Sequence, residues 1–437
     1  MSQLAPRKAV AFTAVRMSQD ASPTPVKKSE ILGWCSFDFA NSAFTTIIIT
    51  VVYAVYFQKV VAGGNAQAEG WWGTALAASQ VVVILLAPFV GAFADVTARK
   101  KIFLVATALV CSLATAALFF VGPGEVALAL ALVALANIAF SLSENLCAAF
   151  LPEISTPENV GRISGYGWSF GYFGGLLSLV LALAIIKSGE GRVPWTFLMT
   201  GAFFFFSSLP TLLLLRERAK PRRLKDGENA FTLGWRQLVR MKKELPEHRT
   251  LALFFVALTV FLSGLLAIVA FAALYATQVI GMTETEVIGL FVLLQLAGVA
   301  GAFGFGFLQD RTGAKPALVL SLLMWIAVCA WAAFSKTKLE FYMISALAGA
   351  AMGALQSAAR AVVSTLTPPG RSGEFFGYWG FFGKLAGVIG PLVFGWMITL
   401  AGYRTAIFVN AGFFVVGLLI LLPLSLKPRA AAVSVAE

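Results

Sequence analysis

The sequence has few charged residues, one histidine and no closely spaced cysteine pair. Charged residues make up 12% of its 437 positions, about half the share that a soluble domain of this size uses on its surface. His248 is the only histidine, which leaves little room for histidine-based metal or acid–base chemistry. The four cysteines, Cys35, Cys111, Cys147 and Cys329, are widely spaced and predict neither a disulfide framework nor a zinc site. No catalytic residue, cofactor or metal ligand is expected.

Long apolar segments are what the sequence does contain. Hydrophobic residues make up 59% of the chain, and a helix that crosses the hydrocarbon core needs about 20 of them in succession. Twelve segments meet that requirement, so we expect an all-α membrane protein with 12 transmembrane helices in two pseudo-symmetric six-helix bundles. The predicted spans are 33–57, 71–93, 102–121, 126–149, 164–187 and 193–215, then 251–279, 287–307, 316–334, 341–362, 376–400 and 405–426.

The polar segments divide this chain into parts. Residues 231–245 have amphipathic helical spacing beside basic residues, which fits either a helix on the inner membrane face or a solvated linker helix. The first thirty residues lack the apolar core and cleavage pattern of a signal peptide. The predicted parts are a cytoplasmic tail at 1–32, a six-helix bundle at 33–215, a cytoplasmic linker at 216–250, a second bundle at 251–426 and a cytoplasmic tail at 427–437.

Basic residues lie mostly on one side of the predicted spans. If the amino terminus is cytoplasmic and twelve spans alternate, 26 Lys and Arg residues fall on the inner side and 6 on the outer side. This bias follows the positive-inside rule and predicts a plasma (bacterial inner) membrane protein with both termini cytoplasmic. The basic residues form no patch among aromatics, so nucleic acid is not an expected partner. The expected partners are a small-molecule substrate, protons and membrane lipid, and the expected state is a monomer.

A short motif occurs twice, half a chain apart. The pattern Gly-x-x-x-Asp stands at Gly91–Asp95 and again at Gly306–Asp310, with the two aspartates 215 positions apart. Trp168 and Trp379 follow the Thr-Pro pairs at 156–157 and 367–368, and the two tryptophans lie 211 positions apart. Two nearly equal offsets indicate a duplicated unit. Duplicated bundles of apolar helices are typical of transporters with two pseudo-symmetric halves.

With this motif between spans two and three of each half, the chain resembles the major facilitator superfamily. That family's loop has the form G-x-x-x-D-R-x-G-R/K-R/K; the second copy matches it, whereas the first has Val96 and Ala98 where arginine and glycine are usual. The resemblance implies that each aspartate faces a helix start in the opposite half and holds the cytoplasmic side closed. Asp95 would face Phe375–Gly377 and Asp310 would face Ile163–Gly165; the alternative is that both only cap loops. The expected gating residues are Asp95, Arg99, Asp310 and Arg311.

Three further segments resemble the vacuole-effluxer-like permeases, a family that includes fungal vacuolar amino-acid exporters. They are Phe37–Phe44 in the first span, Ala149–Ile154 after the fourth, and matches spread over Gly370–Leu392. Phe39 departs from this pattern, because the family usually has tryptophan there. The resemblance implies a permease for a small polar solute, with amino acids the leading class, and it does not give the direction of transport.

Polar side chains recur at helical spacing inside several spans. Such residues are costly in lipid and usually face a cavity, and in the superfamily spans one, four, seven and ten line the central one. The predicted substrate-binding or coupling residues are Asp38, Asn41, Asn137, Ser141, Glu144, Gln356, Arg360 and Lys384. Glu144 and Arg360 either pair with each other or bind nearby backbone. Lys384 either faces the cavity or extends toward the membrane surface.

Together these features predict a secondary active transporter that works by alternating access. Carboxylates in a low-dielectric setting favour proton coupling. An intramembrane enzyme would need a nucleophile–base pair or a metal cluster, which this composition does not offer. The remaining alternative is a non-transporting receptor or scaffold with the same fold, which would not need polar stripes on those helices.

Overall fold

A computed structural model of the protein describes residues 25–219, 221 and 248–426. The predictions for residues 1–24, for the amphipathic segment 231–245 and for the tail 427–437 lie outside these residues. Within the described ranges, every regular secondary-structure element is a helix.

The helices of the first half follow the predicted spans. The first helix begins at Lys28 and continues, partly as π-helix, to Val61. One π-helical stretch, Phe44–Val51, starts three residues after Asn41, and π-helical turns are often found next to functional sites. The helices are α1 Lys28–Ala43, α2 Ala68–Thr97, α3 Lys100–Ala117, α4 Val126–Ala148, α5 Val160–Lys187 and α6 Val193–Leu214.

The second half contains the remaining spans. Its helices are α7 Arg249–Gln278, α8 Glu284–Thr312, α9 Ala314–Phe334, α10 Lys338–Leu366 and α11 Ser372–Leu421. Among the described residues, eleven helical segments are long and apolar enough to cross a membrane. The last of them has 50 residues and is interrupted at Gly402, whose φ of 79° and ψ of 171° are not helical. Because α11 therefore contains two spans, the predicted number of twelve is confirmed.

Each half has its own hydrophobic core. Trp34, Phe44 and Phe197 are central in the first core, and Trp325 and Phe414, whose rings stack, are central in the second. The halves meet where α2 packs on α11 and where α5 packs on α8. An interface between two separate cores is the arrangement that lets two halves move as bodies.

The glycines of the repeated motif allow this close packing. A side-chain carbon on Gly91 would overlap the Gly373 carbonyl group, and one on Gly306 would lie 2.8 Å from the Gly161 oxygen. Glycine is required where two backbones approach this closely. Both contacts lie at the end of the molecule that carries the loops 97–100, 312–314 and 366–372, which we call the motif face.

The turns after the two motifs each contain a residue with positive φ. Gly313 ends α8 with a φ of 92°, and Ala98 ends α2 with a φ of 51°. A left-handed conformation costs a residue with a side chain about 1–2 kcal/mol. The first copy of the motif therefore carries strain at the position where the superfamily usually has glycine.

Candidate functional site

The interface between the halves contains a buried ion pair. Oδ2 of Asp38 on α1 accepts a hydrogen bond of 2.6 Å from Nη1 of Arg360 on α10. The two residues are only 8% and 3% exposed. A buried pair is stable only when further hydrogen bonds compensate the loss of water. The sequence left open a pair of Arg360 with Glu144 or bonds to nearby backbone, and the structure instead shows a pair with Asp38, which neither alternative named.

The remaining contacts of Arg360 come from the first half. Its Nε donates to the Ser164 hydroxyl at 3.2 Å, and its Nη2 donates to the Ser164 carbonyl at 2.9 Å. The guanidinium also lies over the rings of Trp34 and Trp168, at 4.6 and 5.2 Å from the ring centroids. We call the first-half residues that surround this group the arginine socket: Trp34, Asp38, Ser164, Gly167 and Trp168.

A second acid and a second base lie close to this pair. The Lys384 ammonium on α11 is 6.0 Å from the ring of Phe140, one turn before Glu144 on α4. Lys384 and Glu144 interact electrostatically, and Glu144 also interacts with Asp38 and Arg360. Both side chains are half-buried, and no hydrogen bond or direct ion pair joins either of them to another residue in the described ranges.

These four residues have a regular arrangement of charge. The two carboxylates, Asp38 and Glu144, belong to the first half, and the two cations, Arg360 and Lys384, belong to the second. We call the four residues the charged centre. Opposite charges therefore face each other across the interface between the halves.

The other predicted polar residues are distributed around this centre. Gln356 accepts a 2.6 Å hydrogen bond from the Tyr172 hydroxyl and so also joins the halves. Asn137 donates to the Ser79 hydroxyl at 2.7 Å, which places its contact inside the first half. Asn41 is buried, and Ser141 is buried with no hydrogen-bond partner among the described residues.

Sequence reasoning did not single out Asn145, which follows Glu144 on α4. Its Nδ2 is buried without a partner in the described part of the chain and lies against Gly380 of α11. The four-residue spacing from Ser141 would have placed it on the same helix face.

On the motif face, Asp95 binds the start of α11. Its two carboxylate oxygens accept hydrogen bonds of 2.9 Å from the backbone N–H groups of Gly373 and Glu374. We call this contact the first latch. We expected this contact near Phe375–Gly377, and it lies slightly closer to the amino-terminal end of α11. There the unpaired N–H groups and the positive end of the helix dipole favour a carboxylate.

Asp310 makes the equivalent contact with α5. Its oxygens accept hydrogen bonds from the N–H groups of Gly161 at 2.8 Å and Arg162 at 3.2 Å. The Arg162 side chain adds an ion pair of 2.7 Å. This second latch also lies slightly before the predicted contact region, Ile163–Gly165.

The basic residues at the latches differ from those expected. Arg99 and Arg311 are exposed, and neither side chain forms a hydrogen bond or ion pair with any residue that the structure describes. Lys100, which is 1% exposed, instead approaches Asp95 to 3.7 Å, pairs with Glu153 and donates to the Ser372 hydroxyl at 2.8 Å. A lysine at the first position of an apolar helix was the available sequence signal for this role.

Glu217 lies beside Lys100, after the last residue of α6 and outside the spanning helices. Its carboxylate accepts a hydrogen bond of 2.9 Å from the Lys101 backbone N–H. Burial raises the pKa of Glu217, and the nearby Lys100 charge and the Lys101 N–H only partly oppose that rise.

Sequence comparisons agree on one family. Residues 73–432 match the family described as "Vacuole effluxer Atg22 like". The uncharacterized MFS-type transporter YxiO of Bacillus subtilis is 25% identical over 401 residues, which cover 89% of this chain and 93% of that protein. Autophagy-related protein 22 of Yarrowia lipolytica is 24% identical over 300 residues, which cover 61% of this chain and 51% of that protein. The chain thus spans about half the length of this fungal relative.

Solved structures show the same fold. The human organic anion transporter MFSD10 (TETRAN) superposes with a TM-score of 0.74 at 16% identity, covering 90% of this chain and 99% of that chain. The proton:xylose symporter XylE gives 0.72 at 13% identity, covering 92% and 97%. These similarities confirm the expected major facilitator fold.

Proposed function

This chain belongs to the vacuole effluxer Atg22-like family and is a membrane transporter of the major facilitator superfamily; we propose that it moves a small polar organic solute, with amino acids the leading class, by alternating access. The charged centre carries this proposal. Asp38 and Glu144 face Arg360 and Lys384 across the one surface along which the halves must separate.

The gap between Glu144 and Lys384 is the proposed solute site. The two groups carry opposite charges, are partly accessible and have no direct bond to each other. A solute that carries an ammonium and a carboxylate group would satisfy both. Ser141 and Asn145, whose buried side-chain atoms lack partners in the described ranges, supply two further hydrogen-bonding groups on the same helix.

Coupling to protons is proposed for the two carboxylates. The guanidinium of Arg360 stays charged at any physiological pH, so only Asp38 can neutralise within their pair. Protonation of Asp38 would remove the attraction that holds Arg360 in the first half. With both termini cytoplasmic, the motif face is the cytoplasmic side of a plasma membrane, and the latches hold that side closed.

Transport in proteoliposomes tests this proposal. Purified protein, a radiolabelled amino-acid mixture and an imposed pH gradient should give uptake that exceeds the uptake without a gradient. Equal uptake in both conditions would contradict proton coupling. Asp38→Asn should abolish the gradient-driven part, whereas Glu190→Gln, at an exposed loop position, should retain it.

A screen for thermal stabilisation separates transport from a scaffold role. A solute that binds the folded state raises the melting temperature by mass action. We expect stabilisation by at least one zwitterionic metabolite and its loss in Lys384→Gln. A complete absence of stabilising metabolites would favour the scaffold.

A further inference from the structure

We propose that the arginine socket is a third latch between the halves, and that Trp34 and Trp168 are positioning residues that set its strength. This inference rests on the proposed alternating-access function. The first and second latches join a carboxylate to backbone N–H groups at helix ends. In the socket, by contrast, a long side chain of the second half enters the first half.

Two aromatic rings contact the guanidinium of Arg360. Trp34 is fully buried, and its orientation is fixed because its Nε1 donates a 2.7 Å hydrogen bond to the Cys147 carbonyl. Trp168 lies on α5, one turn after Ser164, which binds the same guanidinium through its hydroxyl and its carbonyl. A planar cation over indole rings gains more in a buried site than it would at a surface, and Arg360 is buried. The rings therefore add to the attraction that Asp38 exerts on Arg360.

The backbone of α5 leaves the space that this arrangement needs. A side-chain carbon at Gly167 would lie 2.5 Å from Nη2 of Arg360 and 2.8 Å from the Trp34 ring, and it would overlap the Asp38 carboxylate. Two of these groups belong to the socket, and the third is the arginine that enters it. We infer that glycine at this position is required for Arg360 to enter, and not only for helix packing.

Opening of the motif face must withdraw Arg360 from the socket, because Arg360 moves with α10 while Trp34 and Trp168 move with α1 and α5. Weakening either ring should therefore increase the population that is open on this face. Ser357 on α10 is a suitable reporter position. It is 1% exposed, its hydroxyl has no partner among the described residues, and its carbonyl accepts a 2.8 Å hydrogen bond from Ser164 across the interface.

The test uses the full chain with Ser357→Cys, purified without substrate and treated with N-ethylmaleimide. Peptide mass spectrometry separates labelling at this position from labelling at the native cysteines. Trp168→Leu should raise the labelling rate about tenfold, which corresponds to the loss of one desolvated cation–π contact. Gly167→Ala should act in the same direction, and Trp168→Phe, which keeps an aromatic face, should restore most of the protection.

Trp325→Leu is the control, because it makes the same substitution at a buried tryptophan in the core of the second half, away from the socket. It should leave the labelling rate close to that of the parent. Equal labelling in the Trp168→Leu and Trp325→Leu proteins would overturn the inference, as would unchanged labelling in both Trp168→Leu and Gly167→Ala. The assay requires no transport, so a wrong assignment of the solute or of proton coupling would not alter it.

Discussion

Replacement of Asp95 by asparagine should open the motif face. The carboxylate accepts two hydrogen bonds of 2.9 Å from the start of α11 and lies 3.7 Å from the Lys100 ammonium. Asparagine keeps the shape but presents an amide donor to one of the two backbone N–H groups. A hydrogen bond to a charged group contributes about 1.5–3 kcal/mol, so a loss of about 2 kcal/mol is expected, or roughly a 30-fold shift toward the open arrangement.

Spin labels at Arg99 and Arg311 would measure this shift. Both residues are exposed and lie on the motif face in opposite halves, and their side chains form no hydrogen bond or ion pair with other described residues, so labels there should not disturb the latches. Pulsed-dipolar distances in the parent should fall in one short population. In Asp95→Asn a longer population should become substantial.

The control variant is Glu158→Gln, which removes the same charge from an exposed loop on that face; among the described residues Glu158 forms no hydrogen bond or ion pair with the second half. Its distance distribution should match that of the parent. An unchanged distribution in Asp95→Asn would refute the latch, and the same shift in both variants would show that only net charge matters.

Three further predictions concern folding stability. Asp38→Asn should lower the melting temperature, because a buried cation left without its partner costs about 3–5 kcal/mol, and adding Arg360→Gln should recover most of the loss. Ala98→Gly should stabilise the protein by about 1 kcal/mol and Gly313→Ala should destabilise it, since both residues have positive φ; chemical unfolding would contradict this if both changes were neutral. Burial raises the pKa of Glu217, so this residue lowers the free energy of unfolding increasingly as the pH rises past the ordinary glutamate pKa of about 4.3. Glu217→Gln should therefore raise the melting temperature at pH 7.5 and much less at pH 4. Equal increases in melting temperature at the two pH values would contradict this cause.

Local sequence features were sufficient for the spans and the motif. Apolar segments of spanning length predict membrane helices because backbone groups in lipid must be satisfied within the segment. The repeated Gly-x-x-x-Asp pattern also led to the contacts of Asp95 and Asp310 with the opposite half, through the resemblance of the loop to a known superfamily. Those contacts lie slightly closer to the amino-terminal ends of α11 and α5 than expected, because the backbone N–H groups of the first helical turn have no partner within the helix.

Side-chain partners between distant helices were less accessible to sequence reasoning. Spacing placed Asp38 and Arg360 on cavity-lining helices but did not pair them, since they are 322 positions apart in the chain. The loop motif of the superfamily favoured Arg99 and Arg311 beside the two aspartates. In the structure the side chains of Lys100 and Arg162 point toward the aspartates instead.

The amino-acid order by itself determined that this chain is a duplicated bundle of membrane helices with polar groups inside, because hydrophobic length and helical periodicity are properties of neighbouring residues. Only the packed structure decided that the acids of the charged centre come from one half and the bases from the other. Only the packing, too, placed Arg360 between two tryptophans, in a space that Gly167 leaves free. Such arrangements depend on how helices far apart in the chain lie against each other, and no local pattern specifies that.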